Sequence, residues 1–252
     1  MATATEKRVA VVAKYRTILG RNKYSQPKRA YAFKKYSDGK YYSDCSSSIA
    51  LAYKEAGYPF YDNNGSYNPN TVGMYQAKSL KDVPVEIKNG IIQNPEVLRP
   101  GDMLLFAGSD NSRKYADCVG HVEMVAIING GKITLYGHGS GTPRATEMNA
   151  YCKSRYNQKT STVIGNKGLL KVRRFIWDEA ATTETADDGK KQVVITGGTV
   201  NVRSGPGKKY SVLDIAKKGD KYPAVDMDGW HPIDMGSMIG WVIDTYADVK
   251  GD

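Results

Sequence analysis

Residues 178–190 read Asp-Glu-Ala-Ala-Thr-Thr-Glu-Thr-Ala-Asp-Asp-Gly-Lys, a small, polar and acidic run with no hydrophobic period. Such a stretch has nothing to bury, so it serves as a linker. The chain must then build two separate cores, one from residues 1–177 and one from 192–252, with the linker at 178–191. Its 252 residues suffice for one domain of ordinary size and a small all-β unit.

The C-terminal part shows short apolar runs punctuated by turn residues. These are Val200-Asn201-Val202-Arg203-Ser204-Gly205-Pro206-Gly207, then Gly219-Asp220, Gly229-Trp230 and Gly240-Trp241-Val242. Regular short strands with such turns predict a small barrel. The N-terminal part mixes both periods, which makes the fold class α+β. Val9 to Leu19 has the pattern of an amphipathic helix, Met103 to Phe106 and Leu169 to Trp177 read as strands, and the latter is expected to close the sheet.

The chemistry centres on Ser43-Asp44-Cys45-Ser46-Ser47-Ser48-Ile49. Ile49, Ala52, Tyr53 and Ala56 recur at helical spacing and Gly57 stops the pattern, so a helix is predicted from Cys45 to Ala56. Cys45 then lies in the first turn, where unpaired N–H groups and the helix dipole favour a thiolate. Downstream, His121 opens a β-rich run to Ile128, a turn at Asn129-Gly130-Gly131 follows, and a second strand, Lys132 to Tyr136, leads into His138. In an antiparallel hairpin the start of one strand faces the end of the next, which places His121 and His138 together. The expected catalytic order is Cys45 as nucleophile, His121 as base and His138 as its orienter. Cys118 and Cys152 read as small buried hydrophobes. Asp102, in Pro100-Gly101-Asp102, reads as turn chemistry launching a strand. Glu123 alternates with His121 on one strand, so both can face the cleft, although a solvated strand face explains Glu123 equally well.

At these residues the chain resembles the papain-like cysteine peptidases of the NlpC type, which cleave bacterial cell-wall peptides, and the phage lysins related to them. The matching residues are Asp44-Cys45-Ser46-Ser47, Arg99-Pro100-Gly101-Asp102 leading into Met103-Leu104-Leu105-Phe106, and Gly120-His121-Val122. The resemblance spans roughly residues 15 to 145 and implies a papain-like fold. The stretch between Asp62 and Gln93 has no pattern that aligns and reads as an insertion over the cleft. Tyr24-Ser25-Gln26 stands where related lysins carry a Tyr-Ser segment, which implies that the Tyr24 hydroxyl, with the N–H groups near Cys45 and Ser46, binds the oxyanion. The C-terminal motifs resemble bacterial SH3-like domains, which generally retain an enzyme on a wall polymer. Trp230, Trp241 and Tyr246 are the aromatic candidates for wall binding, with at least one of them expected to fill the barrel.

These expectations together describe a peptidoglycan hydrolase. Cleavage within the stem peptide is the first reading and the N-acetylmuramoyl-L-alanine amidase bond the second. Two rivals come from other classes. One is a non-catalytic wall-binding protein, and the other an acyl-transferring enzyme of transglutaminase type, which also uses Cys and His but needs an acidic third residue. Partners follow from charge. Residues 1–177 hold 27 Lys and Arg against 13 Asp and Glu, whereas residues 178–252 hold 9 against 13. A basic catalytic part is drawn to a polyanion, and in the absence of a nucleic-acid motif the anionic wall polymers of a cell envelope are favoured. Three cysteines make no disulfide framework. The histidines lack companions at ligand spacing, so neither a metal nor another cofactor is expected. Met1 to Arg8 has no apolar core, so no signal peptide and no membrane span are read. Release from the cytoplasm by a phage holin, or export of a precursor whose leader is absent here, would bring such an enzyme to the wall.

Overall fold

The structure is a computed structural model that describes residues 2–109, 118–129, 131–161, 164–178, 192–203, 208, 212–223, 230–234 and 239–250. The chain divides into two compact units, one of residues 11–126 with 131–176, the other of 1–10, 127–130 and 177–252. Helix α1 (Ala4–Arg16) begins five residues before the expected start. The expected linker, apart from Asp178, lies outside the described residues.

The first unit is α+β. Strands β1 (Lys23–Tyr24) and β2 (Tyr42–Ser43) pair in parallel just before helix α2 (Cys45–Glu55). Helix α3 (Thr71–Gln76), strand β3 (Lys81–Val83) and the hairpin β4 (Ile87–Lys88) and β5 (Ile91–Ile92) follow. Then come β6 (Met103–Ala107), β7 (Val119–Asn129), β8 (Lys132–Gly137), β9 (Arg144–Glu147), α4 (Met148–Tyr156) and β10 (Leu169–Arg174). Six of these strands form one sheet in the order β3-β10-β6-β7-β8-β9. Its middle is the core, since all five residues of β6 are buried.

Leu169 to Arg174 does join this sheet, but one place in from the edge, because β3 pairs outside it. The segment without a sequence pattern thus supplies the edge strand, and three residues are too few to show a period. Arg173 holds that segment down by donating to the carbonyls of Tyr75, Ala77 and Leu80. Arg174 donates Nε and Nη2 to the two oxygens of Asp102, each at 2.7 Å. Asp102 also accepts the Arg99 N–H at 2.8 Å, which fixes the turn that starts β6.

Helix α2 is buried on all sides, with Ile49, Ala50 and Ala52 inaccessible and Tyr53 donating its hydroxyl to the Gly101 carbonyl at 2.8 Å. The run of small residues from Ser46 to Ala52 allows this enclosure, as a helix packed all round leaves little room per side chain.

In the second unit the short strands are β11 (Gln192–Ile195), β12 (Thr199–Arg203), β13 (Val212–Lys217), β14 (Lys221–Pro223), β15 (Trp230–Asp234), β16 (Ile239–Ile243) and β17 (Ala247–Lys250). A single closed barrel is not what they form among the described residues. They divide into a three-stranded sheet, β14-β11-β17, and a four-stranded sheet, β13-β12-β16-β15. The 3-10 turn Asp244–Tyr246 carries the chain from β16 in one sheet to β17 in the other. One apolar core, including Val193, Ile195, Val202, Ile233 and Val242, serves strands of both sheets.

Candidate active site

Asp44 builds the platform that carries Cys45. Its carboxylate accepts the Ser47 N–H at 2.7 Å while the Ser47 hydroxyl accepts the Asp44 N–H at 2.8 Å, a reciprocal capping box. Ser48 N–H bonds the Asp44 carbonyl, so the N–H groups of Cys45 and Ser46 are left at the open, positive end of the helix. Arg29 clamps this end from outside. Its Nε lies 2.8 Å from Asp44, and its guanidinium also donates to Ser46 Oγ and to the carbonyls of Asn68 and Pro69.

Cys45, at the start of α2, and His121, on β7, line the same cleft, close enough for each to act on the other's charge. His121 Nε2 lies 2.7 Å from Glu123 Oε1, which leaves Nδ1 as the ring nitrogen available to a second partner. Burial works against a charged imidazole here, yet the neighbouring Cys45 and the bonded Glu123 carboxylate outweigh it and push His121 up to about 9. Glu123 is buried, on the same strand face as His121. Its seat depends on Gly137, where an added Cβ would fall 1.7 Å from Glu123 Oε2. The Tyr151 ring flanks His121 at 6.2 Å, and burial together with the Glu123 carboxylate drives its phenol far above the usual range.

The cysteine and histidine open onto a cleft of about 540 Å³. Gln26, Asn70 and Thr71 line it on one side, and Gly108, Cys118, Gly120, Arg155 and Lys167 on another. Gly108 and Gly120 touch across β6 and β7, since a Cβ on Gly120 would sit 2.5 Å from the Gly108 Cα. This contact lets the backbone form the cleft floor beside the base. Among the described residues no three His, Cys, Asp or Glu side chains gather as metal ligands.

His138 lies near but is not the partner of His121. It is fully buried, its Nδ1 takes the hydroxyls of Ser43 at 3.0 Å and Ser48 at 3.2 Å, and its Nε2 donates to the Gly141 carbonyl at 3.1 Å. Both ring nitrogens are therefore committed, and burial lowers its pKa, which keeps it neutral. The orienting contact expected of His138 is made by Glu123. The hairpin geometry was right about which strands adjoin, β7 and β8, but alternation along β7 itself puts a carboxylate closer.

Tyr24 packs its ring edge-on against His138 at 5.4 Å, and its phenol is raised by burial and by the nearby Cys45. The Ser46 hydroxyl is occupied, accepting from Arg29 and donating to Asp44, so only its backbone N–H is open to a ligand. Cys152 is pushed up to about 12 by burial, as befits an inert thiol. Trp241 is buried at 4% exposure, which removes it as a surface contact, while Tyr246 is 51% exposed. The side chain of Trp230 lies outside the described residues. Among the described residues no helix is long and apolar enough to cross a membrane.

No family model matches the chain. Over 54 residues it is 44% identical to the "Putative N-acetylmuramoyl-L-alanine amidase YrvJ" of Bacillus subtilis (strain 168), a match of 21% of this chain and 10% of the relative. The similarity thus spans about a tenth of that protein's length. Among solved structures, that of Ly7917 is similar at 12% identity and a TM-score of 0.34, over 96% of this chain and 97% of that one. Ly7917 with the hydrolyzing product of MDP gives the same identity and score over 100% of both. A likeness that slight carries no weight for the fold.

Sequence patterns gave Glu123 a place facing the cleft, and a part as the acidic third residue only in the acyl-transfer alternative; Arg29, Arg155 and Lys167 were given no catalytic role. For Glu123 the available signal was its two-residue offset from His121. The other three are set beside Cys45 by contacts far apart in the chain, which leave no local spacing to read.

Proposed function

We propose that the chain is a peptidoglycan hydrolase that cuts an amide bond of the stem peptide through a thioester on Cys45. The observation that carries this reading is that Cys45 at a capped helix start and His121, whose Nε2 is held by Glu123 at 2.7 Å, line one cleft. A thiol at a helix N-terminus, a base in reach and a buried carboxylate fixing the base's tautomer are what nucleophilic acyl chemistry requires. The short match to the YrvJ protein supports a wall substrate.

In the reaction Cys45 Sγ, its proton already resting on His121, bonds to the scissile carbonyl carbon. The oxyanion sits at the N–H groups of Cys45 and Ser46, within reach of the Tyr24 hydroxyl. Collapse breaks the C–N bond, and His121 returns the proton to the departing amine. Water, deprotonated by His121, then displaces Sγ and frees a carboxylate. Glu123 holds the ring with Nδ1 toward the sulfur and balances the imidazolium charge. The second unit would retain the enzyme on a wall polymer through exposed groups such as Tyr246.

Loss of turbidity of purified walls, followed by mass spectrometry of the released fragments, tests the reading. A new amino terminus on a stem-peptide residue identifies an endopeptidase, and a lactyl end freed from L-alanine identifies the amidase bond that the YrvJ name favours. Full lysis by Cys45→Ala would end the thioester mechanism. The acidic third residue, Glu123, favours one second reading, acyl transfer to an amine. Adding a primary amine to the assay distinguishes it, since a transferase consumes the amine into product and a hydrolase does not.

A further inference from the structure

Two cations of the cleft have no role in the steps above. Of the charged side chains lining it, Arg29 is paired with Asp44, and Asp44 is in turn saturated by the helix cap. Arg155 and Lys167 remain, and neither forms an ion pair among the described residues. Both are built onto one residue of the sheet, Ala107. Its carbonyl accepts Arg155 Nη2 at 2.7 Å, and its N–H donates to the carbonyl of Gly168, the neighbour of Lys167. Continued pairing of β10 with β6 thus brings Lys167 beside Gly108 on the cleft wall. Nη2 of Arg155 is held by the Ala107 carbonyl and its guanidinium lies over the Phe106 ring at 5.6 Å, while Nε is buried without a hydrogen-bond partner. Cys45 and Arg155 are close enough to feel each other's charge.

We infer that Arg155 and Lys167 form an anion-binding subsite beside the nucleophile, which selects acyl donors carrying a free carboxylate next to the amide that is cut. This rests on Cys45 being the reacting group. The planar guanidinium suits a carboxylate in two-point contact, and the lysine adds a point charge at the rim. A carboxamide in the same place would leave the Arg155 donors poorly paired and the charges unanswered. The subsite thereby discriminates a free acid from its amide by charge, with little dependence on shape.

The test compares alkylation of Cys45 by iodoacetate and by iodoacetamide, two reagents alike in size that differ in charge, with the modified cysteine located by mass spectrometry. At low salt the iodoacetate-to-iodoacetamide rate ratio at Cys45 is expected to be roughly tenfold above that of a small free thiol. It should fall about threefold or more in Lys167→Met and recover in Lys167→Arg, as expected of charge rather than packing. Arg155 also braces β6, so Lys167 carries the test and Arg155→Gln is a supporting variant only if it folds. In parallel, peptides differing only in a free carboxylate or a carboxamide beside the cut should be split by kcat/KM, and Lys167→Met should erase that preference through KM. A ratio unchanged in Lys167→Met, or no reaction of Cys45 with either reagent, overturns the subsite. If walls resist cleavage while the charge-dependent ratio holds, the hydrolase reading fails and the subsite stands. If walls are cleaved without regard to the carboxylate and the ratio is flat, the subsite fails and the hydrolase stands.

Discussion

Glu123 decides the chemistry at the scale of single residues. Its carboxylate is one of the groups that hold His121 up at about 9, so under the proposed mechanism the ring would keep a proton for the leaving amine across the neutral range and lose it as pH rises through that value. The alkaline limb of kcat/KM should accordingly lie near pH 9. Glu123→Gln removes a negative neighbour that favours the protonated ring, so the limb should move to lower pH and turnover should drop by about 10²- to 10³-fold. A pH–rate profile measures both, and an unmoved limb would mean that Glu123 does not govern the base. His138→Ala should behave differently. It leaves Ser43 and Ser48 without their buried partner, at a cost of roughly 1–3 kcal/mol in denaturant unfolding. Alkylation of Cys45 should persist in that variant, and a loss of activity without loss of stability would return His138 to the catalytic group.

At the level of elements, two features set the site. The first is the cap of α2, where Asp44 serves the helix and Arg29 at once. Asp44→Ala gives up the capping box and leaves Arg29 unpaired, so destabilisation of about 1–2 kcal/mol is expected from the cap alone. Chemical denaturation would show it, and an unchanged midpoint would contradict the cap's importance. The second is the close approach of β8 to Glu123 at Gly137. Gly137→Ala forces the carboxylate to move or the strands to part, and should cost activity as Glu123→Gln does, together with roughly 1–3 kcal/mol of stability. A fully active Gly137→Ala enzyme would show that the Glu123 seat tolerates displacement.

Across the whole molecule, the acidic run at 178–190 offers a natural place to cut. Arg8, buried in α1, pairs with Asp178, so a truncated chain should keep Asp178. A chain of residues 1–178 is expected to split small soluble wall fragments about as fast as the full length and to clear intact walls more slowly. Its excess of basic residues attracts an anionic wall at low salt, so the deficit should widen as ionic strength rises. Equal binding of both forms to walls at high salt would remove the anchoring role.

What the sequence by itself determined is local. Helix α2 begins at Cys45 as its apolar period and polar start dictate, and β6, β7 and β8 follow from apolar runs set off by the Pro-Gly-Asp and Asn-Gly-Gly signals. Short strands between glycine and proline turns were equally legible in the second unit, because each depends on neighbours within a few residues. Only the tertiary structure decided which group orients His121, where β3 pairs, and how seven short strands divide into two sheets. It alone brought Arg155 and Lys167 to Ala107, and Arg29 to the start of α2. Those choices rest on pairings between residues tens of positions apart, whose energies depend on burial and distance and leave no period in the chain.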